Sequence, residues 1–241
     1  MSIRNLQSFF TPASIALIGA SRDSRSVGGV VARNLLAGGF AGPVWLVNPK
    51  AKELAGRPVF ASVAALPSAP ELAVVAIPAA GVPELIAELG ARGTKAVAVL
   101  SAGFVESGDA GAMLPRRMLE PETSACSAMN ASFAHLMPRP GHTAFFTQSG
   151  AMLTAVVDWS AARGIGFSQL VSLGGMADVD FGDLLDMAAA DPNTRAVLLY
   201  VESITHARKF MSAARRCARI KPVVVVKSGR HDESAKAARS H

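Results

Sequence analysis

Cysteine is nearly absent from this chain of 241 residues: Cys126 and Cys217 are the two it has. They lie far apart and in no metal-ligand spacing, which argues against a disulfide framework and against a zinc site. Aromatic residues are also scarce, at 6%. The basic stretch from Ala207 to His241 holds ten Lys/Arg against only Asp232 and Glu233, yet no series of aromatics interleaves it as stacking platforms. It therefore reads as a solvated helix face and tail rather than a nucleic-acid surface. No apolar run approaches a membrane span, and the opening MSIRNLQSFF has no signal-peptide core. The expectation is a soluble, cytoplasmic protein with neither nucleic acid nor membrane as partner. A strict G-x-G-x-x-G fingerprint is missing too, and no short-period repeat occurs.

What the chain does have is apolar residues, half of the total, enough for one large core or two small ones. They fall in short continuous runs separated by glycine, proline and helical stretches. Ile15-Ala16-Leu17-Ile18 is the pattern of a strand buried on both faces. Gly19 ends it, a polar loop runs from Ala20 to Ser26, and Val27-Gly28-Gly29 opens a helix. A strand, a glycine turn and a helix N-terminus present backbone N–H groups to an anion. An ordinary strand–helix turn has the same pattern, so both readings stand at this point. Val44–Val47 is the second strand, followed by Asn48-Pro49-Lys50. Nucleotide-binding α/β folds hold the ribose at this place, commonly with an acid; a lysine suits a phosphorylated ribose, or is an exposed residue after a turn. Leu72–Ile77 (stopped by Pro78) and Ala96–Leu100 read as further strands. Val82–Arg92 and Asp109–Glu120 read as helices.

The alternation breaks at Pro121–Met129, PETSACSAM, where a fifth strand is expected and the residues do not suggest one. It resumes with a strand over Ala144–Thr147, a helix over Ala151–Arg163, and strands at Leu170–Leu173, Ala196–Val201 and Val223–Val226. Helices over Phe181–Ala190 and His206–Ile220 lie between them. Strands alternating with helices predict parallel sheets with right-handed crossovers. The expected fold is α/β, with a first domain at 1–128 and a second at 129–241. Thr147-Gln148-Ser149-Gly150 joins a strand to a helix and offers a second anion site, or simply a serine N-cap. A hydrolase nucleophile elbow is disfavoured, because Thr147 stands where G-x-S-x-G needs its first glycine. Glu202 follows directly on an apolar strand.

These motifs have a precedent. FFTPASIALIGASRDSRSVGGVVARNLLAGGF, with AVVAIP, FTQSGAM, VSLGGMADVDFGDLLD, YVESI and VVVVKSGR, closely resembles the NDP-forming acyl-CoA synthetase superfamily. That group includes the succinyl-CoA synthetase alpha subunit, the ADP-forming acetyl-CoA synthetases, and the synthetase-like region of bacterial protein lysine acetyltransferases. The resemblance implies a Rossmann-like CoA-binding domain followed by a flavodoxin-like ligase domain. It implies that Gly19, Ala20, Ser21, Ser26, Val27 and Gly28 line the CoA diphosphate and pantetheine. Asn48, Pro49 and Lys50 would approach the ribose 3′-phosphate, and Ile77, Pro78 and Ala79 would pack beside the cofactor. Gln148, Ser149 and Gly150 would hold a phosphoryl group. His241, which matches the histidine of a Ser-His-Thr-Gly-Ala loop, would be the phosphorylated catalytic residue, and Glu202 would orient its imidazole. The implied reaction joins acetate or a similar acid to CoA with ATP, giving acyl-CoA, ADP and phosphate.

Two departures bear on this. PETSACSAM replaces the family's Gly-Pro-Asn segment, and the chain stops at His241 without an ATP-grasp region. ATP or ADP with Mg would therefore come through a partner beta domain or subunit, and the expectation is a fragment that at most binds CoA by itself. The resemblance leaves two alternatives: the regulatory region preceding a GNAT acetyltransferase domain, or a CoA-binding switch without catalysis.

Overall fold

The computed structural model describes residues 5–100, 122–124, 129–132, 134–176 and 178–229. The chain divides into two compact units. One comprises Met1–Met118 with Ser127–Phe133, the other Leu119–Cys126 with Ala134–His241. The helix expected at Asp109–Glu120, Ser240 and His241 lie outside the described residues.

The first unit begins with a short helix, α1 (Gln7–Phe10), and then β1 (Ile15–Ile18), whose four residues are all buried. Helix α2 covers Val27–Ala37, β2 Val44–Val47, β3 Glu53–Leu54 and β4 Arg57–Phe60. β5 is Leu72–Val75, α3 Val82–Arg92 and β6 Ala96–Val99. The strand order is β3-β4-β2-β1-β5-β6. Among the described residues of this sheet only the β3–β4 pair is antiparallel, and β1 lies between β2 and β5 in parallel register, Ile18 against Val47 and Val75. Ala16, Ile18, Val47, Ala73, Val75 and Val99 meet Val82 and Leu89 of α3 in one apolar cluster. Each large aliphatic side chain so buried contributes about 1.5–3 kcal/mol.

The β3–β4 hairpin was not expected from sequence. Its turn residues, Ala55 (φ 51°) and Gly56 (φ 74°), are both left-handed, the geometry of a two-residue type I′ turn. Glu71, at the mouth of β5, ties down the start of the chain. Its carboxylate accepts from the Ala13 amide (2.7 Å), the Ser8 hydroxyl (3.0 Å) and Lys95 (3.0 Å). The Ala13 amide first, and then Lys95, hold its pKa below the ordinary glutamate value.

In the second unit β7 is Glu122–Ser124, β9 Pro140–Thr147, α4 Gly150–Ala161 and β10 Phe167–Ser172. They are followed by α5 (Phe181–Ala190), β11 (Ala196–Val201), α6 (Ala207–Ala218) and β12 (Val223–Lys227). The order β12-β11-β9-β10 is parallel throughout, and β7 runs antiparallel beside β10, Thr123 against Leu170. The PETSACSAM stretch thus does contain a strand, contrary to the sequence reading. The ladder is made by main-chain groups, which every residue but proline supplies in full, so polar Glu122 and Thr123 serve without apolar alternation.

A further short strand, β8 (Met129–Asn130), packs against α2 in the first unit. There the buried Asn34 side chain donates from Nδ2 to the Ser132 carbonyl at 2.8 Å. The core of the second unit on the α4 side is Phe145, Leu153, Val157, Phe167 and Leu170. On the α5/α6 side, Phe181 meets Phe210 edge to face, centroids 6.4 Å apart. Trp159 on α4 is 53% exposed, with the Arg163 guanidinium 4.5 Å above its ring. Trp45, the other tryptophan, is half-buried on β2.

Candidate functional site

Three loops of the first unit converge where β1, β2 and β5 end. Gly19 turns the chain out of β1 with φ 91°, while its amide and that of Ala20 both donate to the Val47 carbonyl (2.9 and 3.2 Å). A side chain at Gly19 would fall 2.2 Å from the Ala76 carbonyl oxygen and 3.1 Å from Ile77 Cγ2. The β1 turn therefore lies directly against the β5 turn that carries Ile77, Pro78 and Ala79. Parallel sheets place ligands here, where neighbouring strands send their connections to opposite sides.

The α2 N-terminus comes equally close. A Cβ on Gly28 would sit 1.8 Å from the Gly19 carbonyl oxygen, and one on Gly29 1.9 Å from the Asp23 carbonyl oxygen. Ser26 caps the helix, its hydroxyl accepting from the Gly29 amide at 3.1 Å. The amides of Val27 and Gly28, in the first helical turn, have no intrahelical acceptor. With the positive end of the helix dipole they make an anion cradle.

The second loop is held to the first. Asn48 Nδ2 donates to the Ala20 carbonyl (2.6 Å), and Asn48 Oδ1 accepts from the Lys50 amide (2.8 Å). Arg22 reaches across from the glycine loop and donates from Nε (3.1 Å) and Nη2 (2.8 Å) to the Glu53 carbonyl. Lys50 and Pro49 are exposed and Ser21 is half-buried, Ser21 Oγ accepting from the Asp23 amide at 3.1 Å. The loops carrying Gly19–Ser21, Asn48–Lys50 and Ile77–Ala79 thus leave the sheet at one edge, with the α2 N-terminus against the first of them. Arg22 was not among the residues that the sequence pointed to.

A second constellation occupies the carboxyl ends of the strands in the second unit. Ser149 caps α4, its hydroxyl accepting from the Met152 amide at 3.3 Å, while its own amide donates to Thr147 Oγ1 at 2.9 Å. Gln148 Oε1 accepts from the amides of Glu202 (2.7 Å) and Ser203 (2.8 Å). This joins the β9 and β11 ends and makes Gln148 and Glu202 neighbours. Two residues it overlooked belong here. Lys227 Nζ donates to the Glu202 carbonyl at 2.9 Å and to the Ser228 carbonyl. Ser172, at the end of β10, is 1% exposed and its hydroxyl has no partner among the described residues. It lies 4.0 Å from where a Cβ on Gly150 would be.

Beside this edge, Asp180 caps α5 through Gly182 (2.7 Å) and Asp183 (3.2 Å). Burial alone would raise its pKa. Lys209 at 3.0 Å and the two amides outweigh that and hold the carboxyl below its ordinary value. For Lys209, burial is likewise outweighed by Asp183 and Asp180, and its pKa is raised.

The chain is similar to known proteins. Residues 13–132 match the sequence model of a CoA binding domain, and residues 140–241 that of a succinyl-CoA ligase like flavodoxin domain. The chain is 39% identical to acetate–CoA ligase [ADP-forming] I of Archaeoglobus fulgidus, over 98% of this chain and 36% of the relative. It is 35% identical to the alpha subunit of acetate–CoA ligase [ADP-forming] I of Pyrococcus furiosus, over 98% of this chain and 55% of the relative. It also superposes with a TM-score of 0.91 on the solved dinucleotide forming acetyl-coenzyme A synthetase 1 of Ca. Korarchaeum cryptofilum in complex with phosphate and ADP. There the identity is 36%, over 98% of this chain and 54% of that one. The chain therefore spans about a third to about half the length of these relatives. No helix among the described residues is long and apolar enough to cross a membrane. The two domain matches follow one another in the order of the two observed units, and the likeness to each relative runs through nearly the whole chain: the chain belongs to the NDP-forming acyl-CoA synthetase superfamily.

Proposed function

We propose that this chain is the CoA-binding and phosphohistidine-bearing portion of an ADP-forming acid–CoA ligase. The whole reaction takes acetate or a similar carboxylic acid, CoA and ATP to acyl-CoA, ADP and phosphate. Residues 1–128 form the CoA domain in this reading, and 129–241 the ligase-like domain. The observation that carries it is the glycine-lined contact of Gly19 with Gly28 and with Ala76, which fixes a helix N-terminus beside the Lys50 loop. CoA has a diphosphate and a separate ribose 3′-phosphate. The chain offers a cradle of main-chain amides at Val27 and Gly28 for the first and the ammonium of Lys50 for the second. Half-buried Ile77 and Ala79 give the flanking apolar contact. CoA supplies the thiol that accepts the acyl group.

For the phosphoryl group, the α4 N-terminus with Gln148, Ser149 and Gly150 is the binding element. The orphaned Ser172 hydroxyl beneath Gly150 fits an anion arriving there. His241 carries the phosphoryl group, and Glu202 fixes the tautomer of its imidazole. ATP, ADP and Mg²⁺ are handled by an ATP-grasp partner domain or subunit, in the cytoplasm.

Calorimetric titration of the chain with CoA, 3′-dephospho-CoA and NAD tests this. CoA is expected to bind most tightly, and Lys50→Ala to cost most of its advantage over 3′-dephospho-CoA. An absence of CoA binding, or equal binding of all three, overturns the reading.

A further inference from the structure

Lys50 belongs to a loop that is not part of the sheet core. On its far side that loop is fastened to the outer hairpin: the Asn48 amide donates to the Phe60 carbonyl (2.9 Å) and the Val59 amide to the Lys52 carbonyl (3.0 Å). β3 is the outermost strand and only two residues long. On its near side, two side chains connect the loop to the glycine turn. Asn48 holds the Ala20 carbonyl just before Lys50, and Arg22 holds the Glu53 carbonyl just after it. Lys50 is thus suspended between two straps that both originate in, or end on, the β1–α2 loop.

We infer that Arg22 is a positioning residue. It fixes the separation between the α2 amide cradle and the Lys50 ammonium, and so determines how well the site distinguishes a ligand with a second, distant phosphate from one without it. The inference rests on the CoA reading above. Three features of the strap support it. Two of the five guanidinium N–H groups converge on one carbonyl oxygen, which fixes direction as well as distance. The acceptor is main chain, so the bond holds the Glu53 backbone and is indifferent to the Glu53 side chain. Arg22 is exposed, so the strap adds little to global stability; its effect is on where the loop sits. A lysine at this position has a single ammonium in place of the fork.

The test compares CoA with 3′-dephospho-CoA in wild type, Arg22→Ala, Arg22→Lys and Glu53→Ala. Hydrogen exchange of residues 48–53 is followed by mass spectrometry in the same proteins. Arg22→Ala is expected to keep the wild-type urea midpoint and to lower the ratio of CoA to 3′-dephospho-CoA affinity by roughly tenfold, the scale of a lost charge-assisted bond. Exchange at 48–53 rises. Arg22→Lys recovers part of the ratio, and Glu53→Ala leaves it unchanged. If wild type discriminates and Arg22→Ala discriminates equally, the inference fails, even where both affinities have dropped together, since that outcome assigns Arg22 to the diphosphate alone. If wild type does not discriminate, the CoA reading fails and takes this inference with it.

Discussion

Substituting Gly28 with alanine adds one methyl group where α2 meets the Gly19 turn. The new Cβ would lie 1.8 Å from the Gly19 carbonyl oxygen and 2.9 Å from its carbon. Ordinary contact begins near 3.4 Å, so the first turn of α2 and the Gly19 peptide must separate by 3.4 − 1.8, about 1.6 Å. Neither side is soft. The Gly19 amide is bonded to Val47, Ala20 is fully buried, and Ser26 caps the helix. Overpacking against backbone belongs at the upper end of its usual range, about 3 kcal/mol. The better helix preference of alanine returns up to about 1 kcal/mol, leaving about 2 kcal/mol of destabilisation. For a unit of this size that lowers Tm by roughly 6–8 °C. The displaced amides are those proposed to hold the CoA diphosphate, so affinity should fall at least tenfold under conditions where the variant is still folded. Urea denaturation followed by circular dichroism, with calorimetry of CoA below the transition, measures both. A Gly28→Ala protein that unfolds at the wild-type midpoint and binds CoA normally would refute the reasoning.

Gly90 is the counter-case: it sits in α3, and a Cβ added there would meet nothing within 4 Å, so Gly90→Ala should stabilise by about 0.5–1 kcal/mol in urea denaturation. Ala55 holds a left-handed conformation in the β3–β4 turn; Ala55→Asn, matching the Asn-Gly preference of type I′ turns, should add about 0.5–1 kcal/mol, read from the same denaturation curves. Glu71→Gln should be less stable than wild type at neutral pH. The folded-state pKa of Glu71 is depressed, so its contribution is present above the unfolded value of about 4.3 and is lost as pH falls through the folded value. The stability gap between the two proteins should therefore close on acidification, in urea titrations run from pH 7 to pH 3.

The strands that sequence reading located, such as Ile15–Ile18, Val44–Val47 and Ala196–Val201, are runs of apolar residues, and their composition announces them. The β3–β4 hairpin escaped because Arg57 and Pro58 are exposed and Glu53–Leu54 is too short to show alternation. Ala-Gly is also a weak turn signal beside Asn-Gly or Asp-Gly. Gly19 was legible as the end of β1, because a glycine after an apolar run marks a turn, but the close backbone approach at Gly28 and Gly29 was not, since it depends on where the turn folds back. Arg22 was not legible. An arginine in a polar loop looks the same in sequence whether it is solvated or bonded, and its partner, the Glu53 main-chain carbonyl, is a group that every residue has. Ser172 and Lys227 escaped similarly, since their surroundings are set by which strand ends the sheet brings side by side.

The placement of the two tryptophans has a practical consequence. Each unit contains one, and their environments differ: Trp45 is half-buried on β2, whereas Trp159 stands out from α4 beneath a guanidinium. The molecule thus carries a separate optical label in each unit. Trp159→Phe confines the emission to the first unit and Trp45→Phe to the second. The two spectra, recorded through the same denaturation, would reveal whether the units lose their structure in one event or in succession.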